Sequence, residues 1–132
     1  MSHMRSLASL DSLMEETGGS CDTEEAQRLL GGISRQAVDA RVERGTILWA
    51  KLGRARRFPL AQFNVANARV QPAMLDVLGK LKHVESPASR LSFFLAPKHA
   101  LGGARPIELL QAGERIDEVR RAARLYLSQG GL

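Results

Sequence analysis

Apolar side chains recur at helical spacing in short runs that Gly, Ser and Pro interrupt, so the pattern predicts many short elements. The clearest run opens with Asp22-Thr23-Glu24-Glu25, a capping-box pattern in which a short oxygen side chain precedes a Glu three positions later. A helix is expected to start there, with Ala26, Leu29 and Leu30 inward, and to stop at Gly31-Gly32, where positive φ is inexpensive. Ser34 then caps a second helix, Arg35 to Arg44. Its apolar positions Ala37, Val38 and Val42 leave Arg35, Gln36, Asp39, Arg41 and Glu43 largely outside, and Gly45 ends it. Beyond it, Ile47-Leu48-Trp49-Ala50 and Arg56-Arg57-Phe58 read as short strands flanking Leu52-Gly53-Arg54-Ala55, a β-hairpin with a basic tip. Pro59 suits the first turn of another helix, for which Leu60 and Phe63 would supply the inward face.

The second half reads as helical throughout. Pro72 opens a helix with Met74, Val77, Leu78 and Leu81 on one stripe. Ser86-Pro87 starts another with Leu91, Phe94 and Leu95 on one side, and Pro97 ends it. After a loop from Lys98 to Arg105, Pro106 opens a short helix carrying Ile107 and Leu110. Gly113 breaks it, and Ile116, Val119, Ala123 and Tyr126 line a last helix. Three or four such helices make a small bundle. At the other end, residues 1–20 begin Met-Ser-His-Met and run to Thr17-Gly18-Gly19-Ser20, which reads as a linker. Leu7, Leu10, Leu13 and Met14 could form one apolar stripe there, either as a frayed tail or as a helix docking on a second copy.

The expected fold is therefore mainly α, a winged helix-turn-helix with a small β-hairpin followed by a small helical bundle. Its expected divisions are an arm over 1–19, a winged helix over 20–64 and a partner-binding or dimerising bundle over 65–132. A chain of 132 residues with 44% hydrophobic content can bury a real core. No stretch approaches the roughly 18 apolar residues of a membrane span, and no basic-then-apolar leader opens the chain, so a cytoplasmic protein with no membrane partner is expected. One cysteine, Cys21, and three scattered histidines offer neither a disulfide nor a zinc spacing, and no metal or cofactor is expected.

Nineteen Lys and Arg against fourteen Asp and Glu give a formal charge of +5, which is compatible with a polyanionic partner. Position sharpens this, because Lys51, Arg54, Arg56 and Arg57 fall within seven residues that contain no acid. So short a hairpin gains little from four mutually repelling cations, whereas phosphates would offset the repulsion. Arg35 and Gln36 occupy the first turn of the second helix, where a cation opposes the helix dipole. Contact with a DNA groove would account for it. Helix, glycine turn, helix and basic hairpin follow in the order of a DNA-reading winged helix. Trp49 is expected beneath the hairpin as core rather than as a base-stacking platform. The glycines of Leu101-Gly102-Gly103-Ala104-Arg105-Pro106 lack the Lys-Ser or Lys-Thr of a phosphate-binding loop. His83 and His99 have no nearby carboxylate or cysteine in sequence, and no catalytic constellation emerges, so an enzyme is not expected.

Two resemblances add to this. Thr23 through Leu30, Ile33-Ser34-Arg35-Gln36-Ala37-Val38, Arg44-Gly45, Lys51-Leu52-Gly53-Arg54 and Arg57-Phe58-Pro59 resemble the excisionase and MerR-like winged helix family, with two glycines at Gly31-Gly32 where one is usual. That resemblance implies that Ser34, Arg35 and Gln36 approach the major groove and that the hairpin around Arg54 to Arg57 touches backbone or minor groove. Arg41 and Lys51 complete the expected DNA-binding set. Phe93-Phe94-Leu95, Pro97, Leu101-Gly102-Gly103, Arg105-Pro106, Glu108-Leu109-Leu110 and Val119 resemble the toxin-binding domain of the Xre/MbcA/ParS antitoxins, without the tryptophan usual near Phe93. It implies partner binding through the loop and last helices, at Leu101, Gly102, Gly103, Arg105, Arg120 and Arg124, with a RES-type toxin as one partner.

The leading expectation is a sequence-specific DNA-binding regulator, an antitoxin-like autorepressor of a type II toxin-antitoxin pair. Beside it stand an excisionase-like transcription or recombination accessory factor and an interaction adaptor that no longer binds DNA. A homodimer or larger is expected, because the stripes at Met74, Val77, Leu78, Leu81 and Ile116, Val119, Ala123, Tyr126 look like more apolar surface than half a chain can cover.

Overall fold

A computed structural model describes residues 10–126. The chain is mainly helical with small antiparallel sheets. After helix α1 (residues 10–16) come β1 (Ser20–Cys21), α2 (Thr23–Leu29), α3 (Arg35–Arg44), β2 (Ala50–Leu52) and β3 (Ala55–Pro59). A second small sheet, β4 (Phe63–Asn64) with β5 (Arg69–Val70), leads into α4 (Pro72–Gly79), α5 (Pro87–Leu95), α6 (Pro106–Ala112) and α7 (Ile116–Leu125).

The caps read from the sequence are in place. Asp22 Oδ1 accepts from the Glu25 N–H at 2.9 Å, whereas the Glu25 carboxylate, instead of turning back to complete the box, takes Arg28. Gly31 and Gly32 turn the chain at φ of 91° and 81°, conformations that other residues adopt only at a cost. Ser34 Oγ accepts from the Ala37 N–H at 3.0 Å and Ser86 Oγ from the Ser89 N–H at 3.2 Å.

Four expectations about the first half are corrected. Residues 10–16 neither fray nor await a second copy. Leu10 and Met14 are buried in the chain's own core, while Leu7 lies outside the described residues. The segment Gly18-Gly19-Ser20 is no linker, since Gly19 O accepts the Leu60 N–H at 3.0 Å and Ser20 and Cys21 pair with Pro59 and Phe58 in the order β1-β3-β2. Ile47, Leu48 and Trp49 lie before the first hairpin strand rather than in it. No α-helix starts at Pro59. It ends β3, and only a 3₁₀ turn, Leu60–Gln62, follows.

One side chain accounts for the last two corrections. Gln62 is fully buried, its Oε1 accepting the Leu48 N–H at 2.7 Å and its Nε2 donating to Leu48 O at 2.8 Å. The amide thus acts as a strand partner for Leu48, and Gln62 O accepts the Gln71 N–H at 2.9 Å beside the β4–β5 pair. A helix through residue 62 would carry the amide away from Leu48.

The second half is built as its prolines suggested. Helices α4, α5, α6 and α7 pack on one another, with Phe93 edge-on to Phe94 at 5.6 Å and to Tyr126 at 5.1 Å between ring centres. The two apolar stripes are covered within the chain. Met74, Val77, Leu81, Val119 and Ala123 are fully buried, because α4 meets α6 and α7. The dimer seam argued from these stripes therefore loses its premise. One buried cluster runs from Leu10 to Tyr126, across position 64. Ala61 O, which accepts from Gln71 Nε2 at 3.1 Å and Gln111 Nε2 at 3.2 Å, and the contact of α5 with β2 join the two halves.

Candidate nucleic-acid interface

The hairpin lies against α3 through one ion pair. In the register Lys51↔Arg56 and Leu52↔Ala55, Lys51 and Arg56 share a face, and Arg56 Nη1 meets Asp39 Oδ1 of α3 at 2.7 Å. The Arg56 guanidinium also lies 5.3 Å from the centre of the Trp49 ring. Trp49 is half-buried, packed against the core as the sequence suggested and also forming a wall of the site. On the other face Arg57 donates to Ser20 Oγ at 3.1 Å and Ser20 O at 3.0 Å, tying β1 to β3.

Two of the four hairpin cations are therefore internal braces. The expectation of four uncompensated charges is corrected by Asp39, Trp49 and Ser20, none of them adjacent in sequence. Lys51 and Arg54 remain, both exposed and neither in an ion pair among the described residues.

Arg35 and Gln36 are exposed in the first turn of α3, beside Ser34, whose hydroxyl is committed to the cap. Arg35, Lys51, Arg54 and Arg56 converge on an open cleft of about 890 Å³, which Asp22 and Glu24 close from the α2 side. The carboxylates there would push a phosphate towards the Lys51–Arg54 wall. Arg41 does not join this group, since it is half-buried and lies about 140° round α3 from Gln36.

The residues expected to bind a partner lie on the 3₁₀ turn His99–Leu101 with the loop after it and on α7, two elements in contact, and several are engaged within the chain. Leu101 is core, 1% exposed, within that turn. Gly102 and Gly103 are exposed in the turn that follows. Arg105 is spent on Leu95 O and Glu16, each at 2.9 Å, and Arg120 on Asp76 at 2.7 Å and Asp117 at 2.8 Å. Arg124 is exposed.

The sequence reading missed a groove of about 460 Å³ that Phe93, Ala96, Pro97, Ala122, Leu125 and Tyr126 line. Lys98 Nζ lies in it, 4.5 Å from the Tyr126 ring centre and 5.2 Å from that of Phe93. Burial pushes the Lys98 ammonium down to about 8. No hydrophobic period marks Lys98, so nothing in the sequence pattern pointed to it. His83 Nε2 lies 2.9 Å from Tyr126 O at the edge of this region.

Cys21 is buried, and desolvation with the Glu25 charge pushes its thiol up to about 11, the reverse of an activated nucleophile. Among the described residues no group of His, Cys, Asp and Glu could hold a metal ion, and no helix is long and apolar enough to cross a membrane. No model of a known protein family matches the chain, and neither does a curated protein or a solved structure.

Proposed function

We propose that the chain is a sequence-specific DNA-binding regulator in which residues 20–64 act as a winged helix-turn-helix and the bundle beyond binds a protein partner. The observation that carries this reading is the Asp39–Arg56 brace, beside which Lys51 and Arg54, in no ion pair among the described residues, share an open cleft with Arg35 of the first turn of α3. A recognition helix whose first turn meets base edges, flanked by a hairpin on the phosphates, needs that juxtaposition.

The bundle's part is supported by the apolar groove at Phe93 and Tyr126, with Leu125 at its edge 70% exposed. An antitoxin-like autorepressor, with a RES-type toxin as the partner, is the form of this reading that the family resemblances favour. Working units of two chains remain part of it, assembled on an inverted repeat rather than through the covered stripes. Selection of bound duplexes from a random pool tests the DNA half. The reading predicts one enriched motif that Arg35→Ala or Gln36→Ala weakens by about 1–3 kcal/mol on that motif and much less on random DNA. A pool that emerges unenriched would leave the chain as an adaptor.

A further inference from the structure

The exposed face of α3 centres on Gln36 and Glu43, and cations flank it on both sides. At 100° per residue Arg35 falls about 100° to one side, towards the hairpin, and Arg44 about 80° to the other. On that second side lies a groove of about 270 Å³ between the end of α3 and the bundle, into which Arg44, Lys82 and Arg90 converge around Thr46, Leu75 and Gly79.

No carboxylate lines this groove. The nearest acid on α4, Asp76, is already occupied by Lys80 at 3.2 Å and Arg120 at 2.7 Å. Arg44, Lys82 and Arg90 enter no ion pair among the described residues. The Arg90 guanidinium is held in place. Its Nε donates to Val84 O at 2.6 Å, and its Nη1 sits 3.5 Å from where a Cβ on Gly45 would lie, at the left-handed cap of α3. The dipole of α3 accounts for a cation or two at its C-terminal end. It does not account for Lys82, which lies beyond the end of α4 on a different element.

We propose that Arg44, Lys82 and Arg90 form a second phosphate-binding flank, so that duplex DNA is gripped by its backbone on both sides of α3. The inference rests on the DNA-binding reading and extends the interface into the half of the chain assigned to partner binding. The dimensions fit. A ten-residue helix is about 15 Å long, and the major groove it would enter is about 12 Å wide between backbones. Cations at the hairpin and at the end of α3 would then meet phosphates on opposite rims of one groove.

The test is a salt titration of the full chain on a labelled DNA duplex of random sequence. Each phosphate neutralised adds about 0.9 to the slope of log K against log salt. Arg44→Ala with Lys82→Ala removes two exposed side chains that make no hydrogen bond among the described residues, so the variant should melt like the parent. Its slope should be shallower by close to two units. Arg44→Lys with Lys82→Arg should restore the parent slope, because charge alone is required. An unchanged slope in the folded double-alanine variant overturns the second flank while leaving the hairpin reading intact. The hairpin is read separately from Lys51→Ala with Arg54→Ala. A parent chain that shows no salt-dependent binding to duplex DNA overturns both.

Discussion

Replacing Gln62 by Leu tests whether one buried amide holds the segment between α3 and the hairpin. Leucine is close in volume, so the perturbation is chemical rather than steric. It leaves the Leu48 N–H and C=O, whose partners were Gln62 Oε1 at 2.7 Å and Nε2 at 2.8 Å, without protein acceptor or donor. Leu48 is 2% exposed and its neighbour Ile47 also 2%, so water does not readily replace the amide. Each buried backbone group left unpaired costs about 1–3 kcal/mol. The apolar side chain returns about 1–2 kcal/mol by its own burial. The net loss is then about 0–5 kcal/mol at the extremes and should centre on about 2–3 kcal/mol. Urea unfolding, followed by far-ultraviolet circular dichroism and by Trp49, the single tryptophan, reads it directly. With m of about 1–3 kcal/mol per M, the midpoint should fall by about 1 M at unchanged m. Gln62→Glu should be worse at neutral pH, since its second oxygen would face Leu48 O. A Gln62→Leu protein as stable as the parent would refute the reasoning, because the Leu48 groups would then have partners that do not depend on Gln62.

Met14→Ala should cost about 2–5 kcal/mol of unfolding free energy, measured by the same urea curves, because Met14 is fully buried and its helix closes the chain's own core. Lys98 releases its proton more readily folded, at about 8, than an unfolded lysine at about 10.4, so its contribution to stability should rise with pH between those values, while that of Cys21, whose thiol is pushed up to about 11, should fall above about 9. In a series of midpoints against pH, the difference between Lys98→Met and the parent should be largest below about 8 and should close towards about 10.4, since the Cys21 contribution is common to both. Asp39→Ala should change stability by less than about 1 kcal/mol, as partly exposed ion pairs do, yet weaken duplex binding by releasing the hairpin from α3. Equal DNA affinity in Asp39→Ala and parent, measured by anisotropy, would remove the brace from the account.

Much of the architecture was legible because local chemistry dictates it. Asp22, Ser34 and Ser86 cap helices through their own oxygen atoms, and Pro72, Pro87 and Pro106 open helices because their fixed φ suits a first turn. What escaped was decided at a distance. Gln62 reads as an ordinary polar residue until Leu48 is beside it, and β1 is invisible until β3 supplies its partner. The candidate site divides in the same way. Arg35, Gln36, Lys51 and Arg54 were found from charge and cap position and lie exposed where that reasoning put them. Arg56 and Arg57 carry the same charge, but Asp39 and Ser20, distant in sequence, turn them into braces. Arg41 is half-buried and lies on another side of α3 from Gln36. In the partner-binding set, Leu101, Arg105 and Arg120 are engaged by packing, carbonyls and acids within the chain, contacts that no local pattern announces.

Amide chemical shifts recorded while duplex DNA is added test the central claim most directly. The account predicts that, at low salt, the largest changes fall at residues 34–36 and 51–56, with the groove at Phe93 and Tyr126 undisturbed. Changes confined to that groove, or none anywhere, would contradict it.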